Sequence, residues 1–164
     1  MKKITLKLNT PGDIGFAMKT LHLKMVENNT PLTIVFPEYD KSIPMIGSKV
    51  IILGSNTELL ALNLVNNDSY RVGALSEISE SDIRYSYKRK HEVLNSSKIR
   101  RIIKRANSRG DDVSLSSLRR KMMNGTLSLP FISILSESTK QHFKIFIEEV
   151  DFEKKKPSFY GLAK

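Results

Sequence analysis

Short apolar stretches separated by polar turns run through the first 80 residues and predict a series of strands and helices. Lys3–Leu8 alternates polar and apolar residues with a period of two, which is typical of a half-buried strand. After a turn at residues 11–13, apolar residues recur at helical spacing from Ile14 to Met25. The same criteria predict a second helix at Thr57–Val65 and three further strands at Leu32–Phe36, Val50–Leu53 and Tyr70–Ile78.

The order of these predicted elements, β-α-β-β-α-β, is that of a ferredoxin-like domain, a type that many RNA-binding modules share. The polar, acidic stretch Ser79–Asp82 marks the end of this domain. We therefore predict an α+β protein whose N-terminal domain, residues 1–80, is ferredoxin-like and resembles an RNA-recognition module.

After residue 80 the pattern changes to a basic linker and a second domain. Residues 81–95 are predicted to form an extended linker with basic and aromatic side chains. The polar residues 95–97 can cap a helix that begins at Lys98 and ends at the turn of residues 110–112. A second helix and two strands complete this Arg-helix domain, residues 96–164, at Ser114–Met123, Pro130–Leu135 and His142–Ile147.

The composition of the chain excludes several kinds of site. Without cysteine, the chain cannot form a disulfide, a thiolate metal site or a cysteine nucleophile. Its 3 histidines are too few for a multi-histidine metal cage, and no nucleotide-binding glycine motif is present, so no metal and no cofactor is predicted. Because no apolar run approaches the length of a membrane span and no export signal is recognisable, we expect a soluble protein of the cytosol.

The net charge of +10 lies in one short segment. Residues 84–121 hold 13 Lys and Arg and 3 acidic residues, and the difference, 13 − 3 = +10, equals the net charge of the whole chain. The other 164 − 38 = 126 residues are therefore neutral on balance. Charge that is confined in this way favours a binding surface for a polyanion.

The predicted helix that begins at Lys98 carries much of this charge beside an apolar face. Its cations form a stripe at i, i+3, i+7 and i+11, namely Lys98, Arg101, Arg105 and Arg109. A solvated surface helix is the ordinary explanation of such a run. Here, however, few acidic side chains lie one turn away to pair with the cations, and the apolar face allows the helix to dock. The pattern therefore predicts nucleic-acid binding, and charge alone does not exclude DNA.

The C-terminal third of the chain carries the motifs of a known family. Residues 136–143 contain the run Ser-x-Ser-Thr-x-Gln-His-Phe, and residues 160–162 are Tyr-Gly-Leu. Together with Leu-Pro-Phe at residues 129–131, these motifs resemble the type I-F CRISPR repeat-processing endoribonucleases. The resemblance is strong over residues 95–162 and weaker over residues 1–80. It implies a ferredoxin-like domain followed by an Arg-helix domain.

The resemblance also implies RNA cleavage without a metal ion. In this reaction the 2′-hydroxyl upstream of the scissile phosphate attacks that phosphate and leaves a cyclic phosphate and a 5′-hydroxyl. His22 matches the family's catalytic base, Ser136 matches the residue that positions the 2′-hydroxyl, and Tyr160 matches the residue that orients the histidine. An imidazole suits the role of base because it titrates near neutral pH.

For RNA recognition the resemblance implies three groups of residues. Arg89 and His91 lie where the family's linker contacts two purines, although the residue expected at the second position is Gln. Phe143 matches the residue that stacks on the base pair at the foot of the hairpin. The other RNA-binding residues lie in the basic helix and in the C-terminal motif: Lys98, Arg101, Lys104, Arg105, Ser138 and Thr139.

Several of these residues also have a purely structural explanation. A single histidine at a helix edge, such as His22, is more often structural than catalytic. Ser136 can serve only as a turn residue at the end of a strand. Tyr160 and Phe143 can be core residues, and His142, which precedes Phe143, is most simply structural.

The sequence thus predicts an endoribonuclease that cuts CRISPR precursor RNA at the 3′ foot of the repeat stem-loop. Its expected partners are that stem-loop, to which it stays bound, and the other protein subunits of a type I-F surveillance complex. One alternative is a non-catalytic subunit that caps the hairpin, binding RNA without forming product. A second alternative is a ribosomal or other basic RNA-packing protein, which would bind many structured RNAs equally.

Overall fold

The computed structural model describes the backbone of residues 1–90, 96–110, 129–136, 140–151 and 157–162, and their side chains except those of residues 96–99. The chain divides into two compact units, of which the first comprises residues 1–90 with 129–164 and the second comprises residues 91–128. The described residues form antiparallel sheets and a few helices, which is an architecture of the predicted α+β type.

The first sheet contains five strands: β1 (Lys2–Leu8), β2 (Thr33–Val35), β3 (Lys49–Gly54), β4 (Tyr70–Val72) and β5 (Ser76–Glu77). All its pairings are antiparallel, in the order β2-β3-β1-β4, and β5 pairs with the start of β1. The predicted alternation along β1 is present, because Ile4, Leu6 and Leu8 are buried. The predicted strand Tyr70–Ile78 is divided into two, with Gly73 between them donating its N–H to the carbonyl of Thr5.

Two helices belong to this unit, α1 (Ile14–Glu27) and α2 (Asn56–Ala61). α1 follows a 3-10 turn, where the Asp13 carboxylate accepts hydrogen bonds from the N–H and the hydroxyl of Thr10, each at 2.8 Å. α2 ends earlier than the predicted helix Thr57–Val65. The physical reason is that Asn63 adopts a left-handed φ of 44°, a conformation that ends helices.

A second antiparallel sheet contains β6 (Tyr85–Lys90), β7 (Phe131–Leu135) and β8 (His142–Asp151), in the order β6-β8-β7. β6 lies inside the segment that was predicted to be a linker. It is a strand because each of its residues pairs with β8, from Tyr85 opposite Asp151 to Lys90 opposite Phe146.

One apolar core joins both sheets of the first unit. Isoleucines of β7 and β8 pack with side chains of α1 and of the first sheet. Two tyrosine hydroxyls connect the segment that follows β2 to the second sheet. Tyr39 donates to the carbonyl of Ile147 at 3.0 Å, and Tyr87 donates to that of Phe36 at 2.8 Å. The division therefore differs from the predicted one, in which the C-terminal strands formed a domain with the basic helix. The reason is that β6, from the first 90 residues, is a pairing partner of β8.

In the second unit the described part is α3 (Ser96–Asn107), followed by a turn in which Gly110 has a φ of 77°. The cations Arg101, Lys104 and Arg105 are exposed on this helix. The predicted helix at Ser114–Met123 lies outside the described residues. No helix in the described part of the chain is long and apolar enough to cross a membrane.

Candidate active site

His22 lies on α1 at the edge of the buried face of the helix. Met18, Leu21 and Met25 on that face are buried. Leu23, the residue that follows His22, is 48% exposed. Because successive helical residues are rotated by about 100°, the position between these two environments leaves the His22 ring half-buried. One part of the ring contacts the protein and another part is open to solvent.

A backbone carbonyl determines which nitrogen of His22 carries the hydrogen. Nδ1 lies 3.0 Å from the carbonyl oxygen of Phe159. Because a carbonyl oxygen can only accept a hydrogen bond, Nδ1 must be the donor. In the neutral ring Nε2 then has the free lone pair and is the basic nitrogen.

The phenol ring of Tyr160 fixes the plane of the same imidazole. The two rings are stacked, with centroids 4.1 Å apart and an angle of 3° between their planes. The stack restricts tilting of the imidazole, and the Nδ1 hydrogen bond restricts its rotation within the plane. His22 is therefore held by two consecutive residues, Phe159 and Tyr160, that lie far from it in the sequence.

The turn formed by residues 157–162 is itself anchored on the edge strand β2. The carbonyl of Gly161 accepts a hydrogen bond of 2.9 Å from the N–H of Ile34, and Ser158 is bonded to the backbone of both Gly161 and Leu162. Gly161 has a φ of 72°, and a Cβ at this position would lie 2.3 Å from Cγ1 of Ile34. Only glycine fits here, because both the left-handed backbone and the close contact exclude a side chain.

Ser136 is placed by the hairpin between β7 and β8. Its N–H donates to the carbonyl of Gln141, and its carbonyl accepts from the N–H of Lys140, each at 2.9 Å. β7 packs against α1, and the approach is close enough that a Cβ on Gly15 would lie 2.0 Å from the carbonyl oxygen of Ser133. Ser136 therefore lies three residues after Ser133, where β7 contacts the helix that carries His22.

The predicted base-stacking residue, Phe143, lies on β8 opposite Ile134. Its side chain is half-buried and packs against the apolar core. Arg89 lies on β6 opposite Ile147, and its side chain is exposed. The described contacts therefore bring Tyr160 against His22, and they place Phe143 and Arg89 on neighbouring strands of the second sheet.

The described part of the basic helix carries exposed positive charge. Arg101, Lys104 and Arg105 are exposed, and no acidic residue occurs within α3 to pair with them. Of the other predicted RNA-binding residues, His91, Ser138 and Thr139 lie outside the described residues, as does the side chain of Lys98.

Two contributors to the site were not predicted from the sequence. Phe159 contributes through its backbone carbonyl, so its side-chain type carries no signal. Ile34 contributes by holding the turn through its N–H and by filling the space beside Gly161. The isolated glycine within Tyr-Gly-Leu was the available signal, because an isolated glycine often marks a close backbone approach.

This arrangement can perform general base chemistry. It combines an imidazole whose basic nitrogen is defined with an aromatic ring that holds the imidazole. Within the ranges of the chain that the structure describes, no group of three or more His, Asp or Glu side chains could hold a metal ion.

Comparison with known proteins assigns most of the chain to one family. The family model described as CRISPR-associated protein (Cas_Csy4) matches residues 14–164. This match includes α1 with His22, the whole of the second sheet, and the turn that carries Tyr160. No curated protein matches the chain.

Proposed function

Because the chain belongs to the Cas_Csy4 family of CRISPR-associated proteins, which process CRISPR RNA, we propose that it is the endoribonuclease that matures the repeat transcript. Family membership implies binding to CRISPR repeat RNA and a part in antiviral defence. The cut would fall at the 3′ foot of the repeat stem-loop. The orientation of the His22 ring is the observation that carries this proposal, since it leaves Nε2 as the basic atom.

In the proposed reaction no metal ion takes part. Nε2 of His22 removes the proton from the 2′-hydroxyl upstream of the cut, and the 2′-oxygen attacks the phosphorus. The bond from phosphorus to the 5′-oxygen breaks, which leaves a 2′,3′-cyclic phosphate on one product. The departing 5′-oxygen takes up a proton, and the histidinium that formed in the first step can supply it.

Two further residues would prepare this step. The stacked ring of Tyr160 keeps the imidazole in one plane, so that Nε2 is presented in a single direction. The hydroxyl of Ser136, in the turn after β7, would hold the 2′-hydroxyl in line with the scissile phosphorus. Ser136 and Tyr160 are therefore positioning residues for a base supplied by His22.

The exposed cations of α3 support binding of the stem-loop. Arg101, Lys104 and Arg105 would neutralise phosphates, with Lys98 on the same helix. Arg89 can form two hydrogen bonds to a guanine, and His91 would contact the neighbouring base. Phe143 would stack at the foot of the hairpin, with Ser138 and Thr139 contacting the RNA nearby.

We extend the proposal to the fold of the N-terminal domain, to the complex that contains the protein and to its site of action. The strand order β2-β3-β1-β4, with helices after β1 and β3, supports a ferredoxin-like arrangement of the first 80 residues. Retention of the hairpin after cutting would make the protein a subunit of a type I-F surveillance complex. The expected site of action is the cytoplasm, where precursor transcripts are available.

The test is cleavage of the repeat hairpin by the purified protein in EDTA, with the product ends identified. A single cut that leaves a 5′-hydroxyl and a cyclic phosphate is the expected result. Tight binding of RNA that stays uncut would overturn the catalytic proposal and would leave a subunit that only caps the hairpin. Equal binding of unrelated hairpins would indicate a general RNA-packing protein instead.

A further inference from the structure

The second sheet has one face in the core and another that the proposed reaction does not use. In an antiparallel sheet, directly paired residues lie on the same face. Ile132, Ile145 and Ile147 are at most 1% exposed and define the core face. The opposite face, here called the outer face, contains Ser86, Lys88, Lys90, Phe131, Ser133, Leu135, His142, Lys144, Phe146, Glu148 and Val150.

An aromatic ring stands exposed on this outer face. Phe131 is 41% exposed, although phenylalanine is among the residue types most often buried. The ammonium of Lys144 lies 4.4 Å from its ring centroid, and the ring of Phe146 lies 5.7 Å away. The phenyl ring is therefore held in place by its neighbours while part of it still faces solvent.

Cations also lie on the outer face, on the adjacent strand β8 and on β6 beyond it. The outer face contains Lys88, Lys90 and Lys144, and its one acidic side chain in the described residues is Glu148, which is paired with Lys90 at 2.9 Å. Three lysines against one carboxylate give the face a charge of 3 − 1 = +2 with histidine neutral. Its charge therefore complements an anionic ligand, and an exposed ring adds a surface for stacking.

We propose that the outer face binds single-stranded RNA that flanks the repeat hairpin, with one unpaired base stacked on Phe131. An unpaired base is the ligand that fits, because the bases of a duplex have their faces covered by their neighbours. Lys88 and Lys144 would contact the phosphates on either side of that base. The identification of the flanking RNA as the ligand rests on the proposed function.

The position of this surface separates it from the predicted hairpin contact of Phe143. Phe143 pairs with Ile134 and therefore lies on the core face of β8, whereas Phe131 pairs with Phe146 on the outer face. The two phenylalanines thus lie on opposite faces of one sheet. Each can stack only with RNA on its own side, so the hairpin foot and the flanking strand would occupy different surfaces.

Fluorescence gives a direct test, because the chain contains no tryptophan. Phe131→Trp places a single indole at the proposed stacking position, and Phe16→Trp on α1 is the control, since Phe16 is 51% exposed. The RNAs are a bare hairpin and the same hairpin with a single-stranded extension, each with a deoxynucleotide at the cut. We expect quenching at position 131 with the extended hairpin and little change with the bare hairpin. Equal responses to the two hairpins, or none, would overturn the proposal.

Affinity measurements give an independent test that does not depend on the indole. Phe131→Leu removes the ring but keeps an apolar side chain, and Phe16→Leu is the matched control. Loss of one stacked base should weaken binding of the extended hairpin by about five- to 150-fold and leave the bare hairpin unaffected. Unchanged affinity for the extended hairpin would overturn the proposal. Evidence that a protein subunit, and not RNA, binds this face would also overturn it.

These measurements remain distinct from the test of the proposed function. Quenching by the extension in a protein that never cuts would support the outer face as an RNA surface and reject the catalytic proposal. Normal cutting without any response at position 131 would reject the outer face alone.

Discussion

Helices α1 and α3 have similar lengths, 14 and 12 residues, but their proposed roles are opposite. α1 buries one face in the core and carries the proposed base, His22, which is held by a stacked ring and a hydrogen bond. α3 supplies several exposed cations and no acidic residue. We therefore expect cutting to depend on the orientation of one group and binding to depend on summed charge.

The largest expected effect comes from removing the base on α1. His22→Ala should lower the cleavage rate by about 10²–10⁴-fold, which is the usual contribution of a general base, and should leave the affinity for the hairpin nearly unchanged. Single-turnover cleavage and filter binding measure the two quantities. Leu23→Ala, an exposed neighbour on the same helix, is the control and should cut normally. A large loss of affinity in His22→Ala would contradict a purely chemical role.

A smaller effect should follow from displacing the turn that orients the base. Gly161→Ala puts a Cβ into Ile34 and strains the left-handed backbone, so we expect the cleavage rate to fall by about 10- to 100-fold with unchanged affinity. Gly110→Ala is the matched control, because Gly110 also has a positive φ but no atom lies within 4 Å of its Cβ position.

The nitrogen chemical shifts of His22 distinguish orientation from general damage in this variant. In the unaltered protein they should report a hydrogen on Nδ1, as the bond to Phe159 requires. In Gly161→Ala a mixture of the two neutral tautomers is expected. Retention of the single Nδ1–H form together with slow cutting would refute the orienting role of the turn.

Neutralising α3 should weaken binding moderately and leave the chemistry intact. The double change Arg101→Gln and Arg105→Gln should lower affinity about tenfold or more, and should reduce the slope of log affinity against log salt by about 2. The cleavage rate at saturating RNA should not change. The control removes two exposed lysines of the other unit, Lys7 and Lys41, in the same way. Equal slopes in the two double variants would contradict a dedicated role of the helix.

A still smaller effect is expected from Glu38, a carboxylate that follows β2. Glu38 accepts hydrogen bonds from Lys49 and from the N–H and hydroxyl of Ser48, and these contacts lower its pKa from 4.5 to about 2. A lowered folded-state pKa stabilises the protein above pH 4.5, and this contribution is lost as the pH falls from 4.5 to about 2.

Glu38→Gln should therefore lower the free energy of unfolding at neutral pH by less than about 1 kcal/mol, because the carboxylate is partly exposed. Urea unfolding at several pH values measures the difference from the unaltered protein, which should shrink below pH 4.5. The cleavage rate and the hairpin affinity should both stay unchanged. A difference that grows towards low pH would contradict the assigned pKa direction.

The sequence predicted well those elements whose hydrophobic pattern can be recognised within a short segment. β1 and α1 lie within about two residues of their predicted bounds, because alternation and helical spacing are local properties. β6 was interpreted as a linker although Tyr85 and Tyr87 alternate with polar residues. Its charge dominated the pattern, and its partner β8 begins more than 50 residues later in the sequence.

The candidate site could be predicted only in part, for a related reason. The resemblance named His22 and Tyr160, and the structure stacks their rings. The carbonyl of Phe159 and the N–H of Ile34 are backbone groups. Every residue type provides the carbonyl and every type except proline provides the N–H, so no motif identifies them. Their contribution depends on where the chain places them rather than on which side chains they carry.

The hydrogen bond between His22 and Phe159 has a consequence for the order of folding. It joins residues 137 positions apart, whereas the bonds that form α3 span a single turn. Because contacts between distant residues generally form after local ones, we expect the basic helix to exist before the imidazole is oriented. A partly folded chain would then bind its RNA before it could cut it. The proposed ribonuclease activity would be the last property that the protein acquires.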